Sequence, residues 1–174
     1  MLFWHVGASV LLFRYLFRDP GVDLRFLAAG ATVSDLLDKP IGRVFWADTF
    51  GTGRIYGHTL LLFVIVLVAV MIFSVRGTQP RRRWLAFTVG VMFHLILDGM
   101  WLSPETLLWP LFGWEFPQSV ENYWSGLLGR IFSDPLVLAQ EAFGLGYLIY
   151  LWRRVGLGDP QRRARLYAEG TITG

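Results

Sequence analysis

The sequence predicts an all-α polytopic membrane protein of about five transmembrane helices with an interfacial outer segment. Three observations predict it. Of 174 residues, 54% are hydrophobic and 17% charged; mean hydropathy is +0.46; and the charged residues gather in short clusters between long apolar runs. At roughly 150 residues per domain the length suits one compact unit, and at about 20 apolar residues per crossing it has room for four or five spans. Residues 1–158 read as a single helical transmembrane domain, and residues 159–174 as a loose, polar, Arg-rich cytoplasmic tail.

The first expected span is MLFWHVGASVLLFRYLF, which ends near Arg14 and Arg18. No basic segment precedes it and it offers no small-residue cleavage site, so it reads as a retained span and not a signal peptide. The second, residues 24–37, has Arg25 at one end and Asp35 and Asp38 at the other. Residues 58–75 and 84–102 are the plainest runs, each about one hydrocarbon thickness at roughly 1.5 Å per residue. The fifth, residues 136–152, ends in Arg153 and Arg154, whose long side chains can snorkel to headgroups.

Five spans alternate sides, and basic residues choose the side. With the N-terminus outside, Arg14, Arg18, Arg25, Arg76, Arg81, Arg82, Arg83, Arg153, Arg154, Arg162, Arg163 and Arg165 face the cytoplasm with the C-terminus. Only Lys39, Arg43, Arg54 and Arg130 oppose them, so the protein is expected in the cytoplasmic (inner) membrane in that orientation. Residues 39–57 and 103–134 become outer loops; the second carries Glu105, Glu115, Glu121, Trp109, Trp114 and Trp124, and its WPLFGWEFP suits a segment lying along the membrane surface. The net charge of +3 is thereby spent on topology, and no nucleic-acid partner is expected. Cysteine is absent, which excludes thiolate metal sites and cysteine nucleophiles.

This layout makes the rare polar residues within spans informative, because each costs a few kcal/mol to insert and is a functional candidate by default. His5, Asp35, Asp38, His58, His94 and Asp98 all fall toward the outer ends of their spans. Asp35 and Asp38 are three residues apart, and His94 and Asp98 four apart, so each pair shares one helix face. Imidazole and carboxylate donors suit a divalent metal: zinc first, with manganese, iron or nickel as alternatives, as one or two ions. Such a site with an open position brings the pKa of bound water to about 7 and points to hydrolysis. Asp98 and Glu141 are the candidate catalytic bases, and Arg43 and Arg54 the candidate substrate-phosphate contacts. The plainer alternatives are that Asp98 pairs structurally with Arg43 or Arg54, that Asp35 and Asp38 only end a helix, and that Glu141 makes a packing hydrogen bond.

The ordered pattern WHVGAS, VSDLLDKP, GRIYGHTLLL and GVMFHLILDGMWLSPETLLWPL resembles the YdjM-like family of inner-membrane metal-dependent hydrolases over about residues 3–117. The resemblance places His5, Asp35, Asp38, His58, His94 and Asp98 on the family's polar motif positions. Where members commonly show an Asp-x-Asp-His second motif and an extra His before the third, this chain has Asp35-Leu-Leu-Asp38-Lys39 and Gly53-Arg54-Ile-Tyr-Gly-His58, which leaves ligand number open. The His-x-x-x-Asp element is also similar, more weakly, to zinc-dependent phospholipase C and nuclease sequences. The expectation is a hydrolase acting on an ester or phosphoester of a lipid or lipid-linked substrate at the outer face. A metal-ion or proton transporter and a nonenzymatic scaffold are the alternatives.

Overall fold

The structure, a computed structural model, describes residues 1–118 and 134–172, and its described elements are all helical. Glu121, Trp124 and Arg130 lie outside the described residues. In chain order the elements are α1 (Leu2–Leu16), α2 (Leu24–Pro40), a π-helical turn (Ile41–Phe45), α3 (Ala47–Phe50) and a 3-10 turn (Tyr56–His58). They continue with α4 (Leu60–Phe73), α5 (Gln79–Leu97), a 3-10 turn (Met100–Leu102), α6 (Pro104–Leu107), α7 (Pro135–Val155) and α8 (Pro160–Glu169).

Local chemistry sets the helix boundaries. Asp23, Thr59, Asp134 and Asp159 each accept an amide hydrogen bond from the first turn of α2, α4, α7 and α8, satisfying donors that have no intrahelical partner. Gly156 and Gly170 close α7 and α8 with positive φ, a conformation glycine adopts without a Cβ penalty. Pro40 ends α2 and contributes no amide hydrogen. The chain then widens into the π turn, and Trp46 N donates back to Ile41 O at 2.9 Å.

Helix α2 is central, packing on both α5 and α1; α7 lies against α1, and α4 against α5. Glycines permit two very close approaches. A Cβ on Gly30 or Gly90 would stand 2.0 Å from Phe87 O or 2.3 Å from Leu27 O, and one on Gly7 would stand 2.3 Å from Gly144 O. Backbone therefore meets backbone at both contacts, as small residues allow in helix pairs. The apolar core includes Val10, Phe13, Leu24, Leu27, Ala86, Phe93, Leu151 and Val155.

Two expectations change. No helix among the described residues is long and apolar enough to cross a membrane. The physical reason lies in how each run folds. The run from residue 58 begins with the 3-10 turn and leaves only 14 helical residues in α4; the run at 84–102 is broken after Leu97 by Asp98 and Gly99; and α7 carries Glu141, Arg153 and Arg154 within its 21 residues. The tail, read as loose, is instead helical over Pro160–Glu169 and docks on the start of α2. Leu24 N donates to Gly170 O at 2.8 Å, the Arg25 guanidinium donates to Tyr167 O, and Ile172 is buried in the core.

Candidate metal centre

Alternating helix direction brings the first turn of α1, the end of α2, the 3-10 turn before α4 and the end of α5 to one end of the bundle. His5, Asp38, His58 and His94 are buried there, with Asp98 8% and Asp35 18% exposed at the side chain. The expectation that these residues share one end is met in three dimensions.

The histidine rings are held from behind. His58 Nδ1 donates to Asp38 Oδ2 at 2.7 Å, His94 Nδ1 to Ala31 O at 2.8 Å, and His5 Nδ1 to Met1 O. Each of these partners accepts, so each ring donates from Nδ1 and turns its Nε2 inward. Oxygen acceptors behind metal-binding imidazoles perform this same orienting task. The inward atoms then meet: His58 Nε2 and His94 Nε2 stand 3.2 Å apart, and buried His5 Nε2 has no hydrogen-bond partner among the described residues. Two imidazole nitrogens at that distance are held together by a proton or a cation between them.

The carboxylates complete the set. Asp35 Oδ1 lies 3.5 Å from His58 Nε2 and 3.9 Å from His94 Nε2, and one donor atom from each of these three residues falls within 4.8 Å of the others. Asp98 Oδ1 is 3.5 Å from His5 Nε2, and its Oδ2 3.6 Å from His58 Nε2. Donors sharing one tetrahedral zinc at about 2.0–2.1 Å stand roughly 3.3 Å apart, so Asp35, His58 and His94 fit a divalent cation by chemistry and spacing alike. Lys39 and the Met1 amino group, 3.5 Å away, meet Asp35 Oδ2, leaving Oδ1 toward the histidines.

The remaining predicted residues have different places. Asp38 faces away from the shared centre: its two oxygens accept from the amides of Ile55, Gly57 and His58 at 2.8, 2.8 and 3.1 Å, besides the His58 ring. It is the residue that folds the 3-10 turn and aims His58. Glu141 is not at the centre; its carboxylate accepts from the Phe3 and Trp4 amides at 2.9 and 3.3 Å, capping α1. The hydrogen-bonding alternative for Glu141 is therefore the one the structure shows. Arg54 pairs with Asp98 Oδ2 at 2.8 Å while remaining 45% exposed. Arg43 sits on the π turn with its Nε against Gly53.

Several contributors escaped sequence reasoning. The Ala31 carbonyl reaches His94 only because Gly90, one turn earlier on α5, lets α5 touch the α2 backbone; a Cβ there would stand 2.8 Å from Ala31 N. Gly57 is similarly required, since its Cβ would lie 2.8 Å from Asp38 Oδ1. In the sequence Gly90 stands one turn before His94, and Gly57 directly before His58. Tyr56 of the 3-10 turn packs edge-on against Trp109 and Phe116, whose rings stack on each other, at ring separations of 5.1–5.6 Å, tying the loop after α6 to that turn.

A sequence model of the family described as YdjM inner membrane protein matches residues 1–157. No curated protein and no solved structure matches the chain.

Proposed function

The chain belongs to the YdjM inner membrane protein family, and on that premise we propose that it is a metal-dependent hydrolase acting on an ester or phosphoester of a lipid or lipid-linked substrate at the outer membrane face. The observation that carries the reading is the convergence of His58 Nε2, His94 Nε2 and Asp35 Oδ1, with each imidazole fixed through its Nδ1. In the proposal these three hold a divalent ion, zinc first, and His5 Nε2 is a further donor beside them. The ion, when bound, supplies Lewis acidity toward the scissile group and acidifies water. Asp98, beside His5 and His58, takes the proton from the attacking water, and Arg54 steadies that carboxylate and offers its exposed edge to a substrate phosphate.

Membrane insertion through α1, α2, α4, α5 and α7 is part of the same proposal. Only Val70 of α4 is buried, while Leu61, Val64, Ile65, Val68, Met71, Ile72 and Phe73 are bare apolar surface that water would disfavour. Short helices are accommodated by local thinning and snorkelling at modest cost. Around the site, Phe45, Trp46, Trp101, Leu111, Phe112 and Trp114 are exposed, as an interfacial belt requires. A substrate presented by the bilayer suits that setting. Ion passage is less well supported, because the site's donors gather at one end of the bundle and the core cluster is apolar.

The test is hydrolysis of a panel of phospholipids and lipid-linked phosphates by purified protein. Turnover is expected that chelator abolishes, zinc or manganese restores, and His94→Ala lowers by at least a hundredfold. Turnover indifferent to chelator and to His94→Ala would refute the proposal.

A further inference from the structure

The opposite end of the bundle carries an open groove that shares no residue with the candidate metal centre. On α7, Gly146, Ile149, Tyr150, Arg153 and Arg154 follow a three- and four-residue spacing and line one open groove of about 540 Å³. Its floor is low because nothing lies within 4 Å of where a Gly146 Cβ would be. Its sides are apolar at Ile149, and its end is cationic. Arg154 donates to the Tyr150 hydroxyl at 2.9 Å and lies 6.0 Å from that ring's centre, which holds one guanidinium over the groove. Arg14 of α1 stands beside Tyr147 on the flank, and the Tyr147 and Tyr150 rings are 6.2 Å apart.

Arg25, Arg54, Arg82, Arg83, Arg162 and Lys39 each meet an aspartate. Among the described residues, Arg14, Arg18, Arg76, Arg81, Arg153, Arg154, Arg163 and Arg165 have no carboxylate partner, and Arg153 and Arg154 are the two of these that line the groove. Two guanidiniums without carboxylate partners, Arg153 and Arg154, and a tyrosine hydroxyl at the end of an apolar groove call for an anion joined to a hydrocarbon tail. A membrane supplies that combination where its anionic lipids meet helix ends, and guanidinium pairs well with phosphate oxygens.

We propose that this groove binds an anionic phospholipid, its phosphodiester on Arg153, Arg154 and the Tyr150 hydroxyl and an acyl chain along Ile149 and Gly146, in the leaflet at the arginine-rich end. Both arginines are exposed and Arg153 makes no side-chain bond among the described residues, so their replacement leaves the fold intact. The experiment is native mass spectrometry of the full chain in detergent, titrated with phosphatidylglycerol or phosphatidylcholine of identical acyl chains. Phosphatidylglycerol is expected to bind at least tenfold more tightly than phosphatidylcholine. In Arg153→Gln/Arg154→Gln that preference should fall to less than threefold, whereas Arg153→Lys/Arg154→Lys should keep most of it. Equal binding of the two lipids by the wild type, or an undiminished preference in the glutamine variant, overturns the proposal. So does displacement of the lipid by glycerol 3-phosphate at equal concentration, which would make the groove a site for free phosphate.

Discussion

Asp38 illustrates how one residue ties folding to chemistry. Its carboxylate is buried, yet it accepts four hydrogen bonds, three from amides and one from an imidazole. A buried carboxylate without such donors would be prohibitively costly; with them it becomes the template for the turn that presents His58. Asp38→Ala strands those four donors, and at about 1–3 kcal/mol for each unsatisfied buried group a loss of at least about 4 kcal/mol is expected in thermal or denaturant unfolding. Removal of an orienting carboxylate typically weakens metal binding about 10–100-fold, and a zinc titration of Asp38→Ala should show a loss of that size. The sequence made Asp38 visible as a candidate, because an ionisable group at the end of an apolar run is rare. It could not separate a donor to the centre from a residue that orients one, since Asp35 and Asp38 share a helix face and differ by a rotation that only tertiary contacts resolve. Glu141 shows the same limit: a glutamate near the outer end of a span is equally a base or a cap until its neighbour on α1 is known.

Among the elements, the α2–α5 contact governs the site. Gly30 and Gly90 let the two backbones touch, and the reward is the hydrogen bond from His94 to the Ala31 carbonyl. Gly90→Ala, although it improves helix propensity, forces a methyl against Leu27 O and Ala31 N. Overpacking of this kind costs typically 1–3 kcal/mol, and the variant should melt earlier and hold metal more weakly. Gly146→Ala, where nothing lies nearby, should be neutral or up to about 1 kcal/mol stabilising. At the other end, Asp23 joins α2 to α8. Burial works against its charge, but hydrogen bonds and attraction from Arg25, and Arg83 beyond, hold its carboxyl below the usual range. A depressed folded pKa contributes stability that is fully present above the unfolded value of 3.8 and is lost as pH falls through the folded pKa. Amide exchange over residues 160–172 should therefore accelerate as pH falls below that value, and Asp23→Asn should show the faster rate already at neutral pH, after correction for intrinsic exchange. Helix positions were largely legible from apolar runs bounded by caps, prolines and glycines. The docking of α8 was not, because its anchor is Gly170 and Ile172 beyond the helix and its own surface is polar.

For the whole molecule, the separation of roles is the main result: a donor cluster at one end, an apolar core, and an arginine-rich end. Hydropathy and charge position carried that polarity, which needs no three-dimensional detail. The run at 58–75 reads as longer than its helix because hydropathy counts apolar residues whatever their backbone does, and the 3-10 turn at His58 shortens α4; α5, as long as the run at 84–102, begins earlier, at Gln79, and stops at Leu97 before Asp98. Candidate donors thus sit where helical regularity is given up. The central claim, that Asp35, His58 and His94 share one cation, is tested most directly by elemental analysis of the protein purified without added chelator. About one tightly held divalent ion per chain is predicted, falling below a tenth of that in both His58→Ala and His94→Ala. Wild-type protein carrying no stoichiometric ion even after zinc loading, or alanine variants that retain it in full, would contradict the account.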